Sequence, residues 1–217
     1  PKIRLKDMIL DTQTKDALKK LVREQQSWEL LQKHNLQPRR KILLIGPPGC
    51  GKTMTAQALA GELGIPVFIV RLDGLISKYM GESISKLRLI FDAMADSRGV
   101  YLFDEFDSIG SKRDQGQDVG EIKRVLNSFL INIEKDHSNS IIIAATNLPD
   151  SLDPALFRRF DDVIEYPLPT NKEIVATIKK NLLGFHFQSE PDYPALSKKA
   201  QGLNYSEIVK SCEETIK

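Results

Sequence analysis

The stretch GPPGCGKT, residues 46–53, follows the apolar run ILLI at residues 42–45 and decides the fold. It matches the pattern Gly-x-x-x-x-Gly-Lys-Ser/Thr, whose glycines let backbone N–H groups turn toward phosphate oxygens. The pattern needs a strand before it and a helix after it, and the flanking residues predict both. We therefore expect a phosphate loop that binds a nucleotide through Gly46, Pro47, Pro48, Gly49, Cys50, Gly51, Lys52 and Thr53, with Met54 beside it.

Short apolar runs recur along the chain and are bounded by turn residues. They predict strands at residues 42–46, 67–72, 100–104, 141–147 and 162–168. Helical patterns separate the first four, at residues 52–63, 83–97 and 119–134. Apolar strands that alternate with helices indicate a parallel sheet covered on both faces. The predicted class is α/β, with a doubly wound, five-stranded parallel sheet of the P-loop NTPase type.

Helical patterns flank the predicted sheet on both sides. An amphipathic helix is predicted at residues 14–34, and after Pro169 only helices follow, at residues 171–183, 192–200 and 205–216. We expect an N-terminal segment over residues 1–40, the α/β core over 41–169 and a small helical lid subdomain over 170–217. Because Lys217 lies inside a helical pattern, we expect the chain to be a fragment with a shortened lid.

The composition excludes several classes of protein. The chain has 217 residues, 41% of them hydrophobic, and a net charge of +2, so no global field favours nucleic acid or membranes. RRK at residues 39–41 is interpreted as a solvated strand entry. The two cysteines, Cys50 and Cys212, indicate no disulfide framework, and Cys50 suits a space-filling role. Without a signal peptide or an apolar run of 18 residues, we expect a cytoplasmic protein.

Polar side chains end two of the predicted strands. Asp104 and Glu105 follow an apolar strand at the edge where such sheets bind ligands. Asp104 suits Mg²⁺ together with the Thr53 hydroxyl, while Glu105 suits the polarising of an attacking water; the alternative is a pair of solvated acids. Asn147 suits holding that water without adding charge, or it only begins an Asn-Leu-Pro turn. Asp107 is open between a site residue and the start of a turn.

The sequence also argues against a guanine nucleotide as the ligand of the phosphate loop. Lys52 suits contact with the outer phosphates of a nucleotide. NKEI at residues 171–174 is superficially similar to a guanine-reading pattern. However, Ile174 stands where that pattern needs Asp, and the segment follows the last strand. GTP is therefore rejected.

Four motifs in this order resemble those of the AAA ATPases, within the wider AAA+ group: GPPGCGKT, LFDEFDSI at 102–109, AATN at 144–147 and LDPALFRRFD at 152–161. The resemblance covers the chain from about Leu5 to Ile216, and KYMGES at 78–83 is especially similar to katanin and spastin. It implies Mg²⁺-dependent ATP hydrolysis in a homo-oligomeric ring, usually a hexamer, that pulls protein substrates through a central pore.

The resemblance also assigns residues by position. Asp104 and Glu105 match the family's acidic pair, and Asn147 matches its γ-phosphate sensor. Arg158 and Arg159 match arginines that reach the neighbouring subunit's ATP, although two surface arginines at a turn are the alternative. Lys78, Tyr79 and Met80 match the pore loop, where an aromatic ring and a thioether grip varied side chains. A core position is the alternative for Tyr79.

Two segments depart from the family pattern. The first segment usually carries Asp-Ile-Gly near the adenine, whereas residues 7–10 here are DMIL, so Met8 and Ile9 are expected to pack on the base. The lid often carries Gly-x-Ser-Gly-Ala-Asp, whereas residues 202–208 are GLNYSEI, in which Asn204 or Ser206 suits the helix cap.

Three functions stay open on the sequence. The first is a protein remodeller or unfoldase, for which a separate protease or an adaptor is a candidate partner. The second is a nucleic-acid loader or helicase, disfavoured by the pore motif KYMG and the lack of a basic or zinc module. The third is a regulatory switch that binds ATP without hydrolysis, disfavoured by Glu105 and Asn147.

Overall fold

A five-stranded sheet forms the centre of the computed structural model, which describes residues 3–72, 74, 81–107, 119–152, 154–185, 187 and 190–216. Its strands are β1 (Lys41–Ile45), β2 (Val67–Arg71), β3 (Val100–Asp104), β4 (Ile141–Thr146) and β5 (Asp162–Glu165). They lie in the order β2-β3-β4-β1-β5, and all neighbouring pairs are parallel. The predicted parallel α/β sheet is confirmed. The predicted pore-loop residues Lys78, Tyr79 and Met80 lie outside the described residues.

Helices precede the first strand, connect the strands and follow the last of them. They are α1 (Thr12–Gln26), α2 (Trp28–Lys33), α3 (Lys52–Leu63), α4 (Glu82–Asp96), α5 (Val119–Lys135), α6 (Pro154–Phe157), α7 (Asn171–Asn181), α8 (Tyr193–Lys199) and α9 (Tyr205–Ile216). Short 3-10 turns occur at Leu5–Asp7 and Pro149–Ser151. The single helix predicted over residues 14–34 is wrong, because the chain turns at Ser27, whose ψ of 21° is not helical.

Side chains of β1 alternate between the two faces of the sheet. Leu43 joins one core, whereas Ile42 and Leu44 join the other. The first core packs α4 and α5 against the sheet, with Phe91 and Phe129 contacting Phe103 of β3. The second core packs side chains of α1 and α3 on the opposite face. Helices therefore cover both faces, as a buried parallel sheet requires.

The entry to β1 differs from the sequence interpretation. Arg40 is buried, and its guanidinium contacts the Asp136 carboxylate, whose side chain is equally buried. Arg39 is half-buried and pairs with Glu24 and Asp162. The expectation of a solvated RRK segment is therefore wrong for Arg40, because its acidic partner lies 96 positions away in sequence.

Strand β5 ends earlier than the predicted run of residues 162–168. Tyr166 still donates its backbone N–H to the Ile45 carbonyl at 2.8 Å, but it lies beyond the strand. Pro167 comes next and has no backbone N–H to continue the ladder.

The C-terminal helices form the small helical subdomain, here called the lid. Ile174 and Ile178 of α7 pack with Ile208 and Cys212 of α9 in a separate core. Both Cys50 and Cys212 are buried free thiols. Among the described helices, none is both long enough and apolar enough to cross a membrane.

Candidate functional site

The phosphate loop joins β1 to α3 and takes conformations that suit glycine. Gly46 has φ +145°, and a Cβ added there would lie 2.2 Å from the Tyr166 carbonyl oxygen. Gly49 has φ +70°, and its added Cβ would lie 2.5 Å from Asn204 Oδ1 of the lid. Helix α3 begins at Lys52, so its first backbone N–H groups lie at the loop, where an anion can bind.

Lys52 is almost fully buried and makes three hydrogen bonds. Its Nζ donates to the carbonyls of Gly46 at 2.6 Å and Pro47 at 2.8 Å, and to Asn147 Oδ1 at 2.8 Å. Burial lowers the pKa of the Lys52 ammonium group. The predicted phosphate-binding cation and the predicted sensor amide are therefore in direct contact.

The two predicted Mg²⁺ ligands also touch each other. Thr53 Oγ1 donates a hydrogen bond to Asp104 Oδ2 at 2.9 Å, across the gap between α3 and β3. A hydroxyl and a carboxylate are both oxygen ligands, which Mg²⁺ prefers. The pair therefore fits the group expected from the sequence.

Glu105 follows β3 in an unusual backbone conformation. Its φ is +56°, which is uncommon for a residue other than glycine, and its N–H donates to Asp104 Oδ1 at 3.0 Å. The Glu105 carboxylate is half exposed and lies 3.9 Å from the guanidinium of Arg71 on β2. Such backbone conformations persist only where surrounding contacts impose them, and they concentrate at functional sites.

Asp107 holds the end of β4. Its Oδ1 accepts hydrogen bonds from Thr146 Oγ1 at 3.2 Å and from the Asn147 backbone N–H at 3.3 Å. Thr146 is fully buried and also accepts from the Leu148 N–H. The residue that the sequence left open between a site and a turn therefore contacts the segment that carries Asn147.

Lys52, Thr53, Asp104, Glu105 and Asn147 line one cavity of about 730 Å³ between the sheet and the lid. The predicted residues among its lining are Met8, Ile9, Pro48, Gly49, Cys50, Gly51, Lys52, Thr53, Met54, Asp104, Glu105 and Asn147. Gly46 and Pro47 are not among the described lining residues, but their carbonyls accept from Lys52. Cys50 is also buried against the core, and burial raises the pKa of its thiol.

The lid supplies cavity residues that the sequence reasoning missed. They are Thr177, Lys180 and Asn181 of α7, and Tyr205, Ser206, Val209, Lys210 and Glu213 of α9. Spacings of three and four residues place each set along one helix face. That spacing is a weak signal, because a helix face of mixed polar and charged side chains is also what a solvent-exposed helix shows.

The two predicted arginine fingers lie in the turn after α6. Neither Arg158 nor Arg159 belongs to the described lining of the cavity, and both are exposed. The Arg159 guanidinium contacts the Glu134 carboxylate of α5, with exposed side-chain fractions of 41% and 44%. The structure thus brings the predicted nucleotide-binding residues that it describes together around the cavity, whereas the two arginines lie apart from it.

Known proteins are similar to this chain over 81–97% of its length. A model of the ATPase family associated with various cellular activities (AAA) matches residues 42–168. An uncharacterized AAA family ATPase, y4kL of Sinorhizobium fredii (strain NBRC 101917 / NGR234), is 37% identical over 214 residues, which cover 97% of this chain and 63% of that protein.

Two ATP-dependent zinc metalloproteases are also similar. FtsH 3 of Sphaerobacter thermophilus is 34% identical over 180 residues, which cover 81% of this chain and 37% of that protein. FtsH of Mycoplasmopsis synoviae is 35% identical over 182 residues, which cover 81% and 27%. The chain thus spans less than two thirds of each of these relatives. Because the family model matches more than half of its residues, the chain belongs to the AAA family of ATPases, as its motifs predict.

Proposed function

We propose that this chain is the ATP-hydrolysing part of a ring-forming machine that remodels or unfolds proteins through a central pore. One observation carries the proposal. Lys52 contacts Asn147, Thr53 contacts Asp104, and all four residues line the same cavity. Asp104 ends β3, Asn147 follows β4, and Lys52 and Thr53 begin the helix after β1, so all four lie at the edge of the sheet where ligands bind.

Each of these side chains has a role in the proposed reaction. Phosphate oxygens can replace the loop carbonyls as acceptors for Lys52, which then offsets phosphate charge. Thr53 and Asp104 would hold Mg²⁺, which would offset negative charge on the phosphates. Glu105 would accept a proton from the attacking water, and Asn147 would orient that water as a neutral partner.

Two further groups of residues would act only in an assembled ring. Arg158 and Arg159 would reach the ATP of the next subunit, within a hexamer as the family resemblance implies, and add positive charge to the transition state. Lys78, Tyr79 and Met80 would line the pore and grip the substrate.

The relatives support a protein substrate. Two of them are ATP-dependent proteases by name, so their ATPase parts accompany work on polypeptides. We transfer that work to this chain and not the zinc protease activity, because the matched region covers only 37% and 27% of those proteins. A separate protease or an adaptor would be a natural partner for such a ring.

Two variants of the cavity test the proposal. Glu105→Gln should bind ATP within about two-fold of the parent and lose at least about 100-fold in turnover, because the water loses its base. Lys52→Ala should instead weaken binding itself, since a buried cation beside the phosphates is lost. Calorimetric titration with Mg-ATP, beside a phosphate-release assay, separates the two effects.

A matched control keeps this test specific. Glu29 is an exposed glutamate on α2, so Glu29→Gln should hydrolyse ATP at the parent rate. Hydrolysis at the parent rate by Glu105→Gln would refute the assignment of the base. Failure of the parent chain to bind ATP would refute the proposed function as a whole.

A further inference from the structure

The lid begins helix α9 with larger residues than the family pattern has there. When Gly-x-Ser-Gly-Ala-Asp is laid on residues 202–207, Tyr205 stands at the second glycine and Ser206 at the alanine. Both residues line the nucleotide cavity. This chain therefore places an aromatic ring where the pattern has no side chain.

Hydrogen bonds fix this part of the lid against the phosphate loop. Ser206 donates to the Gly49 carbonyl from its backbone N–H at 3.2 Å and from its hydroxyl at 3.4 Å. Asn204 caps α9, because its Oδ1 accepts from the Glu207 N–H at 2.9 Å and Glu207 Oε2 accepts from the Asn204 N–H at 2.8 Å. Tyr205 lies between these two anchored residues, so its position relative to the loop is set.

The cavity beside Tyr205 has a mixed lining, with the charged residues Lys180, Lys210 and Glu213 as well as apolar ones. The Tyr205 ring is partly buried and packs against the core that contains Cys50. Apolar side chains of Met8, Ile9 and Val209 line the same cavity. Burial raises the pKa of the Tyr205 phenol above its ordinary value, so the side chain is uncharged at neutral pH.

A contact between the lid and the N-terminal segment closes the far side of this region. Lys180 of α7 donates from its Nζ to the Asp7 carbonyl, and both residues line the cavity. The cavity thus has a polar end at Lys52 and Asp104 and a partly apolar end between two segments outside the sheet. The phosphates of a bound nucleotide would lie at the polar end, which leaves the base and ribose for the other.

We propose that Tyr205 is a nucleotide-binding residue, whose ring contacts the base and ribose of the bound nucleotide from the lid. The inference rests on the proposed function, since it assumes that the phosphate loop binds a nucleoside triphosphate. It assigns recognition of the base to a side chain that this chain has in place of a glycine. Aromatic rings contribute strongly to contacts with bases, since every base has a flat π-face.

The test compares a ligand that has a base with one that lacks it. Calorimetry measures binding of Mg-AMP-PNP, a non-hydrolysable ATP analogue, and of Mg-tripolyphosphate to the parent chain, Tyr205→Ala and Tyr205→Phe. Tyr205→Ala should lose about ten-fold in affinity for AMP-PNP, as expected for a lost aromatic contact with a base, and little for tripolyphosphate. Tyr205→Phe should keep most of the affinity for both ligands, because the ring remains.

Tyr193 provides the matched control, because it is a partly buried tyrosine of the lid core outside the described cavity lining. Tyr193→Ala should leave the ratio of the two affinities unchanged even where it lowers the melting temperature. An unchanged ratio in Tyr205→Ala, a gain in AMP-PNP affinity, or an equal loss of ratio in Tyr193→Ala would overturn the assignment. A parent chain that binds neither ligand would overturn the proposed function as well.

Discussion

Asp107 holds the backbone that presents Asn147, so its loss should lower turnover more than binding. Asp107→Ala removes the acceptor for the Asn147 N–H and for the buried Thr146 hydroxyl. We expect kcat to fall by about ten-fold, the equivalent of one positioned hydrogen bond, with the KM for ATP nearly unchanged. Steady-state ATPase kinetics measure both constants.

Two variants separate positioning from stability in this experiment. Asp107→Asn keeps a side-chain oxygen acceptor and should retain most of kcat. Thr146→Val removes the buried hydroxyl but leaves the contact between Asp107 and Asn147, so it should lower the melting temperature with a smaller loss of kcat. If Asp107→Ala and Thr146→Val lose kcat equally, Asp107 does not act by positioning Asn147.

Individual site residues were predictable where their chemistry follows a strand. Lys52, Thr53, Asp104 and Asn147 each stand next to an apolar run, and the structure places them in contact. Asp107 was not assigned, because its partners lie about 40 residues away and only the pairing of β3 with β4 brings them near. The lid residues were missed because helical spacing alone does not say which cavity a face will line.

At the scale of elements, a buried ion pair joins β1 to the end of α5. Arg40→Ala leaves the Asp136 carboxylate buried without its partner, which typically costs about 3–5 kcal/mol of unfolding free energy. The neighbouring Arg39 is more exposed, with 22% of its side chain accessible, so Arg39→Ala should cost less. Urea denaturation of the two single variants gives the comparison.

The double variant Arg40→Met/Asp136→Leu extends this test. Removing both charges avoids an uncompensated buried ion, so it should recover stability relative to Arg40→Ala. Two results would count against a buried ion pair here: equal losses in Arg39→Ala and Arg40→Ala, or no recovery in the double variant.

The hydrophobic pattern predicted where helices and strands lie more reliably than it predicted where they end. The five strands were predicted because buried parallel strands are continuously apolar, as in β4, where all six residues are buried. The break at Ser27 was missed, since Leu18, Leu21 and Trp28 keep a helical spacing across it. The solvated interpretation of RRK failed because charge in a sequence does not reveal a distant counter-ion.

At the scale of the whole molecule, the arginines after α6 bear on assembly. Arg159 contacts Glu134 within its own chain, and both side chains are about two-fifths exposed. Exposed ion pairs contribute about 0–1 kcal/mol, so a neighbouring subunit's phosphates can replace Glu134 as the partner of Arg159. If the arginines act between subunits, ATPase activity should rise more steeply than linearly with protein concentration until rings are complete.

Mixing two inactive variants decides whether the arginines act in a neighbouring site. Arg158→Ala/Arg159→Ala lacks the two arginines, and Lys52→Ala lacks a working phosphate loop. Each variant alone should therefore be nearly inactive. In mixed rings, some interfaces join an intact loop to intact arginines, and phosphate release should reappear with a maximum at intermediate ratios. Mixing Lys52→Ala with Glu105→Gln is the control, because neither supplies a complete site. Full activity of the double arginine variant alone, at dilutions without oligomers, would contradict action between subunits.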